Sequence, residues 1–589
     1  MLEDSGAERY HDQTMGISNN RPQSNTTWAQ SLGHRSWILL LPILLGAPTV
    51  FMGPAADDYF HQVVLQGGFT AMDSHGSPLL DLFSFLPNDP SIRADMRDLG
   101  VVPWWTPDET RAAFFRPLSA LTHMLDHALW PRSFVLAHLH NILWMCLALW
   151  AVRRLFLATG LVGTALGLAL LFFAVDEAHV FPVAWIANRN VLLALFFGCL
   201  SIERFVHWRQ HRGRVFWSLS LFSLSLLSAE AGVCVLAYIA AWSIVFEETW
   251  SRRIRSLLPF LAIVIVWRIA YNAMGFGEWG TGIYDDPLSD PLNFLGMVIE
   301  RLPTLMLGLW IQIPTDASAL LPSFWMKTVA LLGACLCLLL ARQLKSLLSQ
   351  DPQARFWVLG MLLSLVPLCA TIPMNRLLFF PGLGAFATLG LFLSHRRRLA
   401  SSGWFWLHGP ASIVLCIAAS FGFLGFKAGF ELAASSEPSN AQADDHVIYL
   451  SGVAMAAAYT IITPLSQGEP YPRSVDVLSH ATQDQVITTL DPHTLSITSR
   501  NGWFYLPAER IFRSSQKPIG SARTFRTKRF TAEITDVTPD GRPKTVRFRF
   551  NRPLSHPTYR WMCFDPMTLT VCKPPAIGKS IHLRGMLPW

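Results

Sequence analysis

The sequence predicts a polytopic α-helical membrane protein of about eleven spans that ends in a small β-rich domain. Of the 589 residues, 51% are hydrophobic and only 15% are charged, and long apolar runs recur along most of the chain. The 22 tryptophans suit the aromatic belts at the two interfaces of such proteins. After residue 430 the composition changes to that of a water-exposed domain.

The first element is a basic tail followed by an apolar run. Three arginines precede the run at 37–52, and no small-residue cleavage site follows it. Because basic residues mark the cytoplasmic side, we expect residues 1–36 to be a cytoplasmic tail and the run to be a retained first span. The loop at 53–133 then lies outside the cytoplasm, and its Pro- and Trp-rich stretches predict short interfacial helices.

Further apolar runs follow, and the basic loops between them set their direction by the positive-inside rule. We predict spans at 135–152, 157–175, 184–202, 215–228, 231–246, 257–274, 324–340, 356–372, 377–393 and 404–426. The run at 292–314 is treated differently, because Glu300 and Arg301 interrupt it and a crossing would place basic loops outside. We therefore predict that this run is interfacial or re-entrant. The membrane part covers 37–430, and an odd number of spans leaves the rest of the chain outside.

The part at 431–589 is predicted to be an extracytoplasmic mixed α/β domain that is rich in strands. A strand at 447–450 precedes a helix at 454–465. Alternating residues on both sides of Pro539-Asp540-Gly541 predict a hairpin. Because we place this part outside, Cys563 and Cys572 are candidates for a disulfide.

The net charge of +7 needs no nucleic-acid partner, because the basic residues cluster in short loops between apolar runs. No stretch interleaves basic and aromatic residues as a nucleic-acid groove does. The charge therefore fits a membrane protein, whose partners include lipids.

Two adjacent carboxylates, Asp57 and Asp58, lie where the first apolar run ends. Charge at the edge of the hydrocarbon is commonly functional. Adjacent side chains leave the backbone in different directions, so one is a candidate general base or metal ligand and the other a helper or a helix cap. The alternative is a pair of solvated loop acids.

Other polar residues lie at the predicted outer ends of different spans, as a cleft open to the outer leaflet requires. They are Arg116, His138, Asn141, Asp176, Glu177, His179, Arg189, Glu230 and Arg376. Each has a structural alternative: His138 also fits a satisfied core histidine, and Arg376 fits an interface anchor. Asp176 and His179 are candidates for a divalent metal, although their spacing of three also occurs without one, so no cofactor is assigned.

Four short strings occur in a characteristic order along the membrane part. They are Phe115-Arg116-Pro117-Leu118-Ser119, His138-Leu139-His140-Asn141, the stretch from His179 to Arg189, and the stretch from Arg376 to Gly384. In content and order they resemble motifs of the GT-C glycosyltransferases, nearest to the transmembrane and tetratricopeptide-repeat mannosyltransferases and their bacterial relatives. The resemblance covers about 37–398, and Asp57 and Asp58 stand where that family has its acidic first-loop motif.

This resemblance implies an inverting glycosyltransferase with the GT-C fold. Such an enzyme transfers a sugar from a polyprenyl-phosphate donor to a protein or glycan acceptor on the extracytoplasmic side, here of a bacterial inner membrane. The resemblance makes Asp57 or Asp58 the base, and it assigns Arg376, Arg189 and Arg116 to the donor phosphate. The remaining residues would line the same cleft: His138, Asn141, Asp176, Glu177, His179 and Glu230.

Two strings depart from the family pattern. The second loop has Phe181 where relatives tend to have a glutamate, and the turn Ser228-Ala229-Glu230 lacks their lysine. No tetratricopeptide array follows the membrane part. One alternative is a lipid or glycan transporter or flippase, which would also place charges along a cleft. The altered second loop leaves a further alternative, a GT-C-like assembly protein without catalysis. A transporter would place polar residues in both halves of the membrane, whereas these residues collect on one side.

Overall fold

The computed structural model describes residues 36–67, 75–211, 213–396, 398–434, 443–519, 523–565 and 568–587. The predicted tail at 1–36 lies outside the described residues except for its last residue. A large helical part comes first, and a strand-rich part follows it.

Seventeen helices of the first part are numbered here in chain order, and some of them include short 3-10 or π turns. They are α1 Ile38–Phe51, α2 Asp57–Leu65, α3 Pro78–Asp81, α4 Pro90–Leu99, α5 Pro117–Leu129, α6 Phe134–Ala158, α7 Gly163–Ala174, α8 Glu177–Ala184, α9 Arg189–His211, α10 Phe216–Ser228, α11 Glu230–Phe246, α12 Trp250–Ala273, α13 Pro291–Ile311, α14 Ser323–Gln350, α15 Pro352–Leu368, α16 Phe379–Ser394 and α17 Gly403–Leu432. Three short strands, β1 Ser84–Leu86, β2 Arg111–Ala113 and β3 Gly277–Trp279, form an antiparallel sheet beside them.

Six of the described helices are long and apolar enough to cross a membrane: α6, α9, α12, α13, α14 and α17. The pair α7 and α8, bent by 45°, would make a seventh, and α1, α10, α11, α15 and α16 are apolar but shorter. Each predicted span overlaps one of these apolar helices, but the span predicted at 157–175 begins in the last turn of α6, and α7 starts only at Gly163. Their length and composition are those of a polytopic membrane protein, and the count of eleven crossings stays a prediction.

Helix α16 lies at the centre of the helical part, because small residues let its neighbours approach closely. A Cβ on Gly384 would lie 2.3 Å from the Trp357 carbonyl oxygen of α15, and one on Gly390 would lie 2.4 Å from the Ala165 carbonyl oxygen of α7. Small residues at such contacts are the usual basis of helix packing in membranes. The residues just before α16 are therefore fixed to a rigid core, and Arg376 is one of them.

Four segments meet on one side of the helical part, which we call the loop face. They are the loop between α1 and α6, the loop after α12, the loop after α15 and the strand-rich part. Strand β3 pairs with β2 of the first loop, and Tyr284 of the same segment bridges to Thr371 after α15. The Gly282 N–H donates to the Arg510 carbonyl of the strand-rich part (2.9 Å).

Helix α13 contacts the loop face at its middle as well as beyond its ends. The Arg301 guanidinium, near its middle, donates to Asp285 (3.0 Å) and to the Cys369 carbonyl (2.9 Å). Beyond its C-terminus, the Thr315 N–H and hydroxyl donate to Asn375 (3.0 and 2.7 Å). These contacts are compatible with the interfacial or re-entrant interpretation, but the 21 residues of α13 would suffice for a crossing, so the interpretation stays a prediction.

The C-terminal part contains two sheets and two short helices. Its elements are β4 His446–Ser451, α18 Ala454–Ala457, α19 Tyr459–Gln467, β5 Ser474–Val477, β6 Gln485–Asp491, β7 Thr494–Ser499, β8 Thr524–Arg526, β9 Phe530–Val537, β10 Pro543–Phe550, β11 Tyr559–Asp565, β12 Thr568–Val571 and β13 Ser580–Leu583. One sheet has the order β13-β6-β7-β10-β9-β8 and the other β12-β11-β4-β5. The predicted strand at 447–450 is confirmed, and so is the hairpin around Pro539-Asp540-Gly541, which joins β9 to β10. The single helix predicted at 454–465 is instead two short helices, α18 and α19. Cys563 and Cys572 form a disulfide.

The first loop packs directly on the C-terminal part. Trp104 and Trp105 belong to the hydrophobic core of that part, and the Trp104 Nε1–H donates to the Leu478 carbonyl (3.3 Å). Gly100, which ends α4 with φ +83°, has room for no side chain, since a Cβ there would lie 1.3 Å from the Val475 carbonyl oxygen of β5. The C-terminal part is therefore anchored to the loop that carries Asp57 and Asp58.

Candidate active site

A strained turn between α1 and α2 presents Asp57 and Asp58 at the loop face. Ala56 has φ +45°, a conformation that residues other than glycine rarely adopt. Two contacts hold the turn. The His138 Nε2–H donates to the Gly53 carbonyl (3.1 Å), and the Lys427 ammonium donates to the Met52 carbonyl (2.6 Å). Strain of this kind persists only where the surroundings enforce it, and it is concentrated at functional sites.

Asp58 points into the protein. Its Oδ2 accepts a hydrogen bond from the Ala55 N–H (2.9 Å), and its Oδ1 accepts one from the Ala187 N–H (2.7 Å). Burial raises the pKa of this carboxyl to about 7, although the two N–H donors act against the rise. Since both oxygens are engaged by the backbone, Asp58 joins the first loop to the segment before α9.

Asp57 is half-buried and lies among cationic and phenolic side chains. The Tyr459 hydroxyl, at the start of α19, donates to its Oδ1 (3.2 Å). Burial raises the pKa of Asp57 to about 6, and the nearby Arg376, the Tyr459 hydrogen bond and Arg116 oppose that rise. Burial raises the pKa of Tyr284, and the same two arginines partly offset that rise. The Tyr284 phenol therefore lies close to the two arginines that also act on Asp57. We call Asp57, Arg116, Tyr284, Arg376 and Tyr459 the Asp57 cluster.

Arg376 provides the cluster with an uncommitted cation. Its guanidinium lies over the Trp185 ring, 5.0 Å from the centroid, and its side chain makes no ion pair or hydrogen bond with the residues that the structure describes. Its backbone is nevertheless fixed through the preceding residue, Asn375. The Asn375 side-chain amide donates to Glu177 (2.7 Å), and the Asn375 backbone N–H donates to Asp316 (2.9 Å). A guanidinium of this kind is placed to bind an anion from outside the protein.

Arg189 occupies a different environment. It is fully buried, and its guanidinium binds Asp126 (2.5 Å), the Asn141 Oδ1 (2.5 Å) and the Ala137 carbonyl (3.2 Å). Asn141 in turn donates to the Trp185 carbonyl (3.3 Å). The motif residues Asn141 and Arg189 therefore hold the segment that supports Arg376 and Asp58, and no nitrogen of Arg189 faces the Asp57 cluster unpaired.

Arg116 is paired within the protein. Its Nε and one terminal nitrogen donate to Glu230 (2.8 and 2.7 Å), which also accepts from the Tyr271 hydroxyl (3.3 Å). The guanidinium also lies over Phe114, 4.5 Å from the centroid. Arg116 therefore adds positive potential beside Asp57 and is less accessible to a ligand than Arg376.

Asp176 and His179, the candidate metal ligands at the bend between α7 and α8, do not form a metal site in the described part of the chain. Asp176 accepts from the Ala178 N–H (3.3 Å) and Glu177 from Asn375, whereas the His179 ring stacks on Phe379 with centroids 4.2 Å apart. No group of three or more histidine, cysteine, aspartate or glutamate side chains among the described residues could hold an ion. His179 thus packs in the apolar core, Asp176 caps the start of α8, and Glu177 supports the loop before Arg376.

Sequence reasoning missed Tyr284 and Tyr459. Both come from segments without a motif, and Tyr459 is 402 residues from its partner Asp57. One signal was available: the chain has only 10 tyrosines, and four of them, Tyr59, Tyr271, Tyr284 and Tyr459, lie in or next to the cluster. The scarcity of tyrosine was therefore a weak compositional signal for these four residues.

No family model and no curated protein matches this sequence. A solved structure that is similar is the crystal structure of the Archaeoglobus fulgidus oligosaccharyltransferase tethered with an acceptor peptide containing the NVT sequon via a disulfide bond. The two share 12% identity with a TM-score of 0.38, over 77% of this chain and 64% of that one. The chain thus spans less than two thirds of that structure, and a likeness at this score carries no inference about fold or activity.

Proposed function

We propose that this protein is a membrane glycosyltransferase of the GT-C type. It transfers a sugar, with inversion, from a polyprenyl-phosphate donor to a protein or glycan acceptor. The observation that carries the proposal is the Asp57 cluster, in which a half-buried carboxylate with a pKa of about 6 lies beside Arg376, a guanidinium with no ion-pair partner in the described chain. A base and an anion-binding cation are the two groups that this transfer requires.

Asp57 is the base in this proposal. As the acceptor oxygen attacks the anomeric carbon from the face opposite the phosphate, its proton passes to the Asp57 carboxylate. The bond between the anomeric carbon and the phosphate oxygen breaks, and polyprenyl phosphate leaves with the electron pair. A pKa of about 6 keeps Asp57 ionised at neutral pH yet close enough to that pH for efficient proton transfer.

Arg376 binds the departing phosphate. Its planar fork can donate two hydrogen bonds to phosphate oxygens, and Arg116 adds a second positive charge beside the same group. Charge develops on the phosphate as the bond breaks, so cations held in advance lower the barrier without rearranging.

The roles of two predicted residues change in this proposal. Asp58 is not the base, because both of its oxygens accept backbone N–H groups. Arg189 is not a phosphate ligand, because its guanidinium is fully buried against Asp126, Asn141 and backbone carbonyls. Both residues instead hold the segment from Trp185 to Ala187 against the cluster.

The loop face is assigned to the extracytoplasmic side of a bacterial inner membrane. Basic loops on the opposite side favour this orientation by the positive-inside rule. The disulfide between Cys563 and Cys572 suits an oxidising compartment. In this arrangement the polyprenyl tail lies between helices while the sugar phosphate reaches the Asp57 cluster at the interface.

The direct test measures release of polyprenyl phosphate by the purified protein from a panel of polyprenyl-phosphate sugars with peptide and glycan acceptors. We expect release with one donor, and loss of that release in Asp57→Asn. Asp536→Asn, an exposed carboxylate on β9, is the matched control and should retain activity.

The same panel in sealed vesicles separates the alternatives. Movement of an intact lipid-linked sugar across the bilayer without release of phosphate would identify a transporter or flippase. Neither release nor movement with any donor would favour an assembly protein. Either result contradicts the proposal.

A further inference from the structure

A polar cavity of about 540 Å³ lies between helix α4 of the first loop and the C-terminal part. Residues from both sides line it, among them Arg473, Lys528, Arg529 and Arg552 from the C-terminal part and Asp95 and Asp98 from α4. None of the Asp57 cluster residues lines it. Its volume is that of a small-molecule site.

Paired charges form part of the lining of this cavity. Arg529 is 7% exposed, and its guanidinium binds Asp476 (2.8 Å from one terminal nitrogen) and the Asp98 carbonyl (2.6 Å). Lys528 binds the Asp98 carboxylate (2.6 Å), and its carbonyl accepts from the Asn551 amide (2.8 Å). These contacts hold α4 to the C-terminal part and fix the shape of the cavity.

Two other cations of the lining are uncommitted. Arg473 and Arg552 are exposed, and neither forms an ion pair with a described residue. Both line the same cavity as His446 and Arg529. The pKa of His446 is lowered by burial and, to a smaller extent, by Arg529, Arg473 and Arg552, whereas Asp476 raises it, so the charges of these arginines reach one place in the lining. Converging guanidinium groups repel each other, and an anion bound between them relieves that repulsion.

The other lining residues provide neutral and acidic groups that can form hydrogen bonds with the hydroxyls of a ligand. Tyr559 contributes an aromatic ring, Asn551 an amide, and Asp95 an exposed carboxylate that can accept hydrogen bonds from hydroxyl donors. A simple inorganic anion would use only the arginines. A ligand that carries both an anionic group and several hydroxyls would use the whole lining.

We propose that this cavity binds an anionic sugar, whose carboxylate or phosphate is held by Arg473 and Arg552 and whose hydroxyls bond to Asp95 and Asn551. The inference does not depend on the glycosyltransferase activity proposed above, because the two sets of residues are separate.

The test is a titration of the full-length protein in detergent micelles, followed by saturation-transfer NMR of the ligand. The probes are glucose, glucuronate and glucose 6-phosphate, which share one ring and differ in the anionic group. We expect at least one anionic probe to bind about tenfold or more tightly than glucose, and its binding to weaken as salt is raised. The tighter of the two anionic probes identifies carboxylate or phosphate. Equal binding of all three probes would overturn the proposal.

Variants then locate the site. Arg473→Gln with Arg552→Gln should abolish the preference for the anionic probe, and each single change should weaken it. Arg549→Gln with Arg584→Gln removes the same charge from exposed positions of the C-terminal part outside this lining, and it should leave binding unchanged. Unchanged binding in the first pair, or equal loss in the control pair, would contradict the proposal. Thermal unfolding of each variant checks that the fold is retained.

Discussion

At the scale of single residues, two neighbouring aspartates carry different tasks because of what surrounds each side chain. Asp58 accepts two backbone N–H groups and joins segments 129 residues apart, whereas Asp57 lies beside Arg376 and the Tyr459 hydroxyl. In the proposed function the pair therefore combines a structural carboxylate, Asp58, with a catalytic one, Asp57. Substituting each of them separates the two tasks.

The first prediction compares Asp57→Asn with Asp58→Asn. Asp57→Asn should reduce sugar transfer by about a hundredfold or more, because the base is lost, and should leave the unfolding temperature nearly unchanged. Asp58→Asn should lower the unfolding temperature, because an amide NH₂ would face a backbone N–H, at a cost of roughly 1–3 kcal/mol. The measurements are initial transfer rates and thermal unfolding in detergent. Full activity in Asp57→Asn would remove it as the base.

The second prediction concerns pH. With a pKa of about 6, Asp57 loses its function as a base when it is protonated, so kcat/KM should be flat above pH 7 and fall roughly tenfold per pH unit well below pH 6. Arg376 lowers the pKa of Asp57, so Arg376→Gln should move the midpoint of this fall to higher pH. A midpoint that does not move in this variant would show that the two groups are not coupled.

The third prediction tests the planar fork of Arg376. Arg376→Lys keeps the charge but cannot donate two parallel hydrogen bonds, so donor binding should weaken by about tenfold to a hundredfold. Arg396→Lys is the control, because Arg396 also stacks on an aromatic ring, 4.9 Å from the centroid of Phe392, at the opposite end of α16. Equal donor binding in both variants and wild type would return Arg376 to the role of an interface anchor.

At the scale of elements, α13 is the helix whose composition and contacts point in different directions. Its length and apolar content suit a crossing, yet the Arg301 guanidinium reaches Asp285 and the Cys369 carbonyl at the loop face. A buried arginine at the centre of a crossing helix would be costly, whereas along an interface its partners and water satisfy it. If the other predicted spans all cross, whether their number is odd or even depends on α13.

The fourth prediction follows from that geometry. In a background without free thiols, Ser289→Cys and Ala317→Cys, on the two sides of α13, should react with a membrane-impermeant maleimide from the same side of the membrane. Ser251→Cys, in the first turn of α12, should react only from the other side. Labelling of Ser289→Cys and Ala317→Cys from opposite sides would mean that α13 crosses and that the count of eleven is wrong.

The positions of most elements could be predicted from the sequence, because apolar runs and strand alternation are local signals. The apolar helices and the hairpin at Pro539-Asp540-Gly541 are examples. The roles within the site could not be predicted in the same way. Whether Asp57 or Asp58 faces the cluster depends on the Ala187 N–H, and the partner of Asp57 is a tyrosine in another part of the chain. Such contacts are set by tertiary packing, which no local pattern records.

At the scale of the whole molecule, the C-terminal part takes part in the site. Tyr459 donates to Asp57, and its ring packs on Tyr59 with centroids 6.5 Å apart. Trp104 and Trp105 of the first loop in turn enter the hydrophobic core of the C-terminal part. The first loop is thus held between the membrane helices and the strand-rich part, and the position of Asp57 depends on both.

The last prediction tests this dependence at Gly100, where a Cβ would lie 1.3 Å from the Val475 carbonyl oxygen. Gly100→Ala should push α4 away from β5, disturb the hydrogen bond between Tyr459 and Asp57, and reduce transfer by about tenfold or more, since small displacements of reacting groups are costly. Gly541→Ala is the matched control, because Gly541 has nearly the same φ, +82° against +83°, and a Cβ there would meet nothing within 4 Å.

Both variants impose the same backbone strain, so a difference in transfer between them measures the contact between α4 and β5. Initial rates should be compared at equal amounts of folded protein, with Tyr459→Phe as a second probe of the same interface. If Gly100→Ala and Gly541→Ala retain equal activity, the C-terminal part does not position Asp57. If only Gly100→Ala and Tyr459→Phe lose activity, the membrane part and the C-terminal part act as one catalytic unit.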